Sequence, residues 1–306
     1  MNAETLKRLA VLLAALVVIW LGVGLWRRVH RDTERSIALA RFDPKAADRI
    51  VVARPADTLH FEKLADGWTV NGHRTGAGLV DEMLSALADT AAPSELVAEN
   101  ASSLAQLGLD SAAVRRVTVS GKGAKLFELL VGKDGDVYGT VFVRKPGEVR
   151  AYSLKSSLGG MMTRAVSDWR DKVIASIAPD SVTSVRVQRG ARAYTLSRDG
   201  KTWRLGGAPA DSGAVTRLLA QYRELDGVGF PSEAQADSLR FDRPARVIRI
   251  SGTGGRSLLD LAMDSAKSTF WARRAGDSIV YRLDPWTVNQ LAPADSALKV
   301  HATGRK

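Results

Sequence analysis

Val185-Arg186-Val187-Gln188-Arg189-Gly190-Ala191-Arg192-Ala193-Tyr194-Thr195-Leu196-Ser197-Arg198-Asp199-Gly200-Lys201-Thr202-Trp203-Arg204-Leu205 is the stretch that decides the fold. Apolar side chains fall at Val185, Val187, Tyr194, Leu196, Trp203 and Leu205 and alternate with polar ones, the period of a strand wet on one face. Arg189-Gly190 and Asp199-Gly200 interrupt the run where tight turns need glycine. The reading is three antiparallel strands joined by two hairpins.

The same pattern stands 135 residues earlier, with Ile50-Val51-Val52 opposite Val185-Arg186-Val187, Trp68 opposite Trp203 and Val70 opposite Leu205. Residues 79–84 match 214–219 at that offset, with apolar Val80, Met83, Leu84 and Leu87 on one helical face. The offset then drifts to 132 at Leu107-Gly108-Leu109-Asp110 against Leu239-Arg240-Phe241-Asp242. It reaches 131 at 117–121 against 248–252, and 129 at 144–148 against 273–277, with Tyr152 on Tyr281. Small shifts between matched blocks are what loops of a tandem domain duplication produce, and the period is too long for a solenoid. Each copy reads as strands near 49–54, 58–64 and 67–71, a helix about 77–90 (212–225 in the second copy), a loop-rich crossing, and strands near 114–120, 125–131, 138–145 and 148–154. Helix and strands are segregated, so the class is α+β with antiparallel sheets. The expected organisation is an N-terminal segment 1–41, a first repeat 42–160, a linker 161–180 with a short helix around 161–174, a second repeat 181–293 and a basic tail 294–306.

Residues 9–26 form an uncharged run of 18, bounded by Lys7 and Arg8 before and Arg27, Arg28 and Arg31 after. At about 1.5 Å per residue it spans roughly 27 Å, the thickness of a bilayer's hydrocarbon layer. Trp20 and Trp26 stand where interfacial aromatics do. Leu25-Trp26-Arg27-Arg28 offers no small-residue cleavage site, so the run reads as an uncleaved transmembrane helix and not as a signal peptide. The charges beside it favour a cytoplasmic body, since Arg27, Arg28, Arg31 and Arg35 outnumber Lys7 and Arg8.

The formal charge of +11 divides unevenly. Residues 1–41 hold seven Lys or Arg against three Asp or Glu, and the tail adds Lys299, Arg305 and Lys306, which leaves +4 for 42–298. Basicity therefore flanks the apolar run, where anionic lipid headgroups would meet it, and nucleic acid is not an expected partner. The chain has no cysteine, which excludes disulfides and thiolate chemistry. His30, His60, His73 and His301 show no ligand spacing, so neither metal nor cofactor is expected. Gly121-Lys122-Gly123-Ala124-Lys125 joins two strands and lacks phosphate-loop spacing. Asp134-Gly135-Asp136 has no downstream glutamate to complete a calcium loop, and no nucleophile elbow occurs. No catalytic residue is expected. Trp68 and Trp203 read as core, with ligand platforms as the alternative. Arg144-Lys145 and Arg273-Arg274 precede matched glycines, and read either as solvated hairpin tips or as contacts to an acidic partner or lipid surface.

The order of apolar strand, Gly67-Trp68 or Thr202-Trp203, helix, Leu107-Gly108-Leu109-Asp110, paired strands and a closing Tyr152 or Tyr281 resembles the bacterial family known as domain of unknown function 4340. Asp168-Trp169-Arg170-Asp171-Lys172 is similar to that family's junction between copies. The resemblance covers about 42–290. It implies an accessory protein of ABC-type exporters or gliding-motility transport components, with an N-terminal anchor, an extracytoplasmic body and no catalytic residues. That orientation opposes the local charge count, which long translocated domains override. The expectation is a single-pass protein of the bacterial inner membrane, an auxiliary subunit partnered with membrane lipids and an ABC permease. A glycan- or lipid-surface binding module would show a groove, and a hydrolase would show convergent titratable groups. Leu239-Arg240-Phe241-Asp242 departs from the family pattern, so the turn there is expected to differ.

Overall fold

The computed structural model describes residues 16–22, 36–266 and 268–300. The chain divides into two compact units, Met1–Arg170 and Asp171–Lys306.

In the first unit the elements are β1 (Arg49–Ala53), β2 (Thr58–Leu64), β3 (Gly67–Val70), β4 (His73–Arg74), α1 (Leu79–Ala88), β5 (Ser94–Ala98), β6 (Arg115–Gly121), β7 (Ala124–Asp134), β8 (Thr140–Arg144), β9 (Ala151–Lys155), α2 (Leu158–Thr163) and α3 (Val166–Trp169). The strands form one antiparallel sheet in the order β4-β3-β2-β1-β6-β7-β8-β9-β5. Ile50 pairs with Phe61 and Val119, and Val52 with Leu59 and Val117, so the apolar alternates of three strands share one face. All six are buried there beneath Val80, Met83, Leu84 and Leu87 of α1. Trp169 completes this core, edge-on to Phe61 at 5.0 Å between centroids. The opposite face carries a smaller core of Leu104, Leu109, Leu130 and Phe142 under the 107–110 turn. That turn comes so close that a Cβ on Gly132 would lie 2.2 Å from the Leu107 carbonyl oxygen.

The second unit runs β10 (Val173–Ala175), β11 (Val182–Arg189), β12 (Arg192–Asp199), β13 (Thr202–Leu205), β14 (Ala208–Pro209), α4 (Ser212–Ala220), β15 (Leu225–Asp226), α5 (Glu233–Ser238), β16 (Arg246–Gly252), β17 (Ser257–Ala266), β18 (Thr269–Arg274), β19 (Val280–Leu283) and α6 (Pro285–Leu291). Its main sheet repeats the order of the first, β14-β13-β12-β11-β16-β17-β18-β19. Val185, Val187, Leu196, Ile248 and Ile250 fill its inner face under Val215, Leu218 and Leu219. The counterpart of β5 shrinks to a bridge between Gly229 and Arg282. The molecule is thus mostly antiparallel sheet with helices laid on it, the α+β class expected.

Several expectations change. β5 lies in the stretch read as a loop-rich crossing; it forms because β9, more than fifty residues away, offers a free edge. The linker helix expected over 161–174 is two short helices and a strand, since the chain turns extended at Arg164 and Arg170 to bury Trp169. Trp68 is buried, whereas Trp203 is only half-buried. Lys63 caps the Trp68 ring at 5.8 Å, while the matched Arg198 turns away to the Asp180 and Gly200 carbonyls. Residues 294–300, expected in a tail, pack back: Leu298 is buried and Ala210 bridges Lys299. Gly108 holds φ +66°, a conformation disfavoured for arginine, and Arg240 at the matched position avoids positive φ. A capping box between Ser232 and Gln235 leads into it instead, so the two turns do differ. Among the described residues no helix is long and apolar enough to cross a membrane. Of the run 9–26, residues 16–22 are helical and the rest lies outside the described residues.

Candidate functional site

Arg144, at the end of β8, donates from Nε to the Leu109 carbonyl at 3.2 Å and from Nη1 to the Glu148 carbonyl at 2.8 Å. It ties the 107–110 turn to the β8–β9 hairpin, and burial, followed by repulsion from Arg116, lowers its pKa. Lys145 pairs with Glu148 at 3.3 Å. In the second unit Arg273 lies over the Phe241 ring at 4.5 Å, and Phe241 stands where Leu109 stands in the first copy. Arg274 pairs with Asp277 at 2.8 Å. Of the four cations singled out from the sequence, Lys145 and Arg274 are therefore paired within their own hairpins, and Arg144 and Arg273 are engaged by the turn that carries Leu109 or Phe241. Arg144 and Lys145 belong to one unit, Arg273 and Arg274 to the other. A cleft of 560 Å³ beside Arg273 includes Arg249 and Asp260, which satisfy each other at 3.0 Å.

A different arrangement occupies the end of the β11–β12 hairpin. Arg189 and Arg192 form its last cross-strand pair, and on its other side Arg189 opposes Arg246 of β16. Three like charges in one cross-strand row repel. Arg246 is held by the Val288 carbonyl at 3.0 Å and by Asn289 Oδ1 at 2.9 Å, and burial, then Arg189, lowers its pKa. Among the described residues the Arg189 and Arg192 side chains have neither hydrogen bond nor ion pair. They line a cleft of 490 Å³ with Ala193, Tyr194, Ala294 and Asp295. Asp295 is engaged by Lys299 at 2.9 Å, which holds its carboxyl below the usual range. A second cleft of 520 Å³ shares Ala193, Tyr194 and Asp295 and continues past Leu205, Ala208 and Pro209. The Tyr194 hydroxyl donates to the Pro293 carbonyl at 2.9 Å, and burial pushes its pKa up.

Sequence reading passed over this row, because Arg189-Gly190-Ala191-Arg192 looks like an ordinary hairpin tip. Its available signal was the first copy, where residue 57, matched to Arg192, is an aspartate.

Among the described residues no group of three or more His, Asp or Glu could hold a metal. His60 lies on β2 and His73 on β4, where burial, then Arg170, lowers the His73 pKa. The Tyr222 phenol is fully buried, bonded to the Leu291 carbonyl at 2.5 Å, and its pKa stands well above the ordinary value.

A family model described as domain of unknown function (DUF4340) matches residues 77–244, more than half of the chain. The match begins just before α1 and ends just before β16, so it crosses from one unit into the other. No curated protein and no solved structure matches the chain. On that match, which spans more than half of its length, the chain belongs to the DUF4340 family.

Proposed function

We propose that this chain is a membrane-tethered, non-catalytic subunit that works by contact with a transporter of the bacterial envelope, as an auxiliary component of an ABC-type exporter. The observation that carries the tether is the state of residues 16–22. They are helical, and Leu16, Val17, Val18, Ile19, Trp20 and Leu21 are each between 49% and 74% exposed. Apolar side chains left open all round a helix are costly in water at roughly 25 cal/mol per Å², and a bilayer removes that cost. The exporter part of the proposal rests on the family resemblance, as do the extracytoplasmic side and the ABC permease as partner.

Tethering raises the effective concentration of the body toward membrane partners, so that modest interfaces suffice. The hairpin ends carrying Arg144, Lys145, Arg273 and Arg274 would enter such an interface with Lys145 and Arg274 already paired to acids, Arg144 held by backbone carbonyls and Arg273 stacked on Phe241. Membrane fractionation followed by crosslinking and affinity purification from native membranes tests the reading. Recovery of a permease or its extracytoplasmic partner is expected. A full-length chain found in the soluble fraction, or one that purifies alone and turns over an envelope substrate, would end it.

A further inference from the structure

We infer that the paired clefts at the end of the β11–β12 hairpin bind a small amphipathic anion. Its carboxylate or phosphate head lies between Arg189 and Arg192, and its apolar part runs along Leu205, Ala208 and Pro209. The inference does not depend on the exporter proposal.

The chain carries its own control. At the matched positions of the first copy, the row Arg192–Arg189–Arg246 reads Asp57–Arg54–Arg115. There Arg54 grips the Asp57 carboxylate with both Nε and Nη2. Its Nη1 also donates to the Arg164 carbonyl at 2.6 Å and the Met162 carbonyl at 3.4 Å, and its side chain is only 10% exposed. Arg115 bonds the Gly132 carbonyl at 2.6 Å. The row holds two cations and one anion, and each guanidinium is engaged.

In the second copy both kinds of partner have gone. Arg192 replaces the acid, so the row holds three cations and no anion. The carbonyls matched to Met162 and Arg164 are those of Leu291 and Pro293, and the hydroxyls of Tyr222 and Tyr194 take them, at 2.5 Å and 2.9 Å. Tyr194 and Tyr222 stand where the first copy has Leu59 and Leu87. Arg189 thus loses its acid and both carbonyl acceptors, and its guanidinium is left facing a 490 Å³ cleft. Asp295 on the cleft wall is engaged by Lys299.

A guanidinium pair held against its own repulsion is suited to an external anion, which satisfies both forks through charge-assisted hydrogen bonds and removes the repulsion. The ligand's head would take the place that the Asp57 carboxylate fills in the first copy. Continuity with the 520 Å³ cleft supplies the second half of the specification. Leu205, Ala208, Pro209 and Val300 line it beside the Asp295–Lys299 ion pair, and that apolar part of the wall suits an alkyl chain.

The test titrates octanoate and octyl phosphate into the full-length chain by calorimetry, with acetate as head alone and octanol as tail alone. At least one of the two amphipathic anions is expected to bind saturably at one site, with acetate and octanol about tenfold weaker or worse. The stronger of the two identifies the head, separating a fatty-acid source from a phospholipid one. Arg192→Asp rebuilds the ion pair of the first copy, so it should keep or raise the urea midpoint while weakening the anion about tenfold or more. If Arg192→Asp does not fold, Arg192→Gln, which removes one charge and adds none, carries the same expectation for binding. Unchanged affinity in the folded variant, octanol binding as tightly as octanoate, or no saturable binding of either anion would each overturn the proposal. So would binding seen only after deletion of residues 301–306, which would assign the clefts to the chain's own C-terminus.

Discussion

Arg54→Ala and Arg189→Ala remove the same side chain from matched positions of the two copies, and the structure gives them very different costs. Arg54 is nearly buried and donates to the Arg164 carbonyl at 2.6 Å, a bond from a charged donor worth about 1.5–3 kcal/mol. The 3.4 Å bond to Met162 is long and contributes less. Asp57 is 45% exposed, so its ion pair adds only about 0–1 kcal/mol after solvent screening. Together the loss is about 3 kcal/mol. Arg189 has no such partner, and its removal relieves repulsion from Arg192 and Arg246, so the change should stay within about 0.5 kcal/mol or be slightly stabilising. A chain of two units does not give one unfolding free energy, so the readout is amide hydrogen exchange resolved by strand. Protection of Ile50, Val52 and Phe61 reports the first unit, and that of Val185, Val187 and Leu196 the second. A comparable loss of protection in both units, each in its own variant, would refute the claim that Arg189 is unpartnered.

Two further outcomes follow from burial and charge. Trp169 is fully buried against Phe61, yet its indole nitrogen meets no acceptor. Trp169→Ala should cost the first unit about 3–5 kcal/mol, whereas Trp169→Phe, which keeps the ring contact and removes an unpaired donor, should cost well under half of that, read from the exchange protection of Ile50, Val52 and Phe61. The Glu128 carboxyl is held below its ordinary value of 4.5, first by its hydrogen bond from Lys125 and also by Arg116, although partial burial pushes the other way. A depressed folded pKa gives stability that is present above the ordinary value and lost as the pH falls through the folded one. Stability scans in acid should therefore show a steeper loss below about pH 4.5 for the native chain than for Glu128→Gln; parallel curves would show the pair to be inert.

The period of two in 185–205 and its recurrence in 50–70, together with the helical spacing of Val80, Met83, Leu84 and Leu87, were enough to place most strands, the helix on the sheet and the α+β class. Those are local regularities: a strand wet on one face must alternate, and a helix on a sheet must show one apolar stripe. The matched motifs, from Trp68 to Tyr152, were likewise enough to point to the family. What side chains do once placed was not legible. β5 exists because β9 leaves an edge open, a pairing between residues more than fifty apart. Trp68 and Trp203 look equivalent in the chain, and their burial differs because a lysine folds over one ring and an arginine leaves the other. Arg144 read as a solvated hairpin tip or a contact to an acidic partner or lipid surface, and the sequence did not show that it holds two backbone carbonyls of its own unit, one of them 35 residues away. Arg189 read as a hairpin tip, and it became the unsatisfied group only when two tyrosine hydroxyls took the carbonyls that its counterpart uses. A guanidinium has five donors and a long stem, so its role depends on which acceptors the fold brings within 3 Å or so, and that choice is made by contacts distant along the chain.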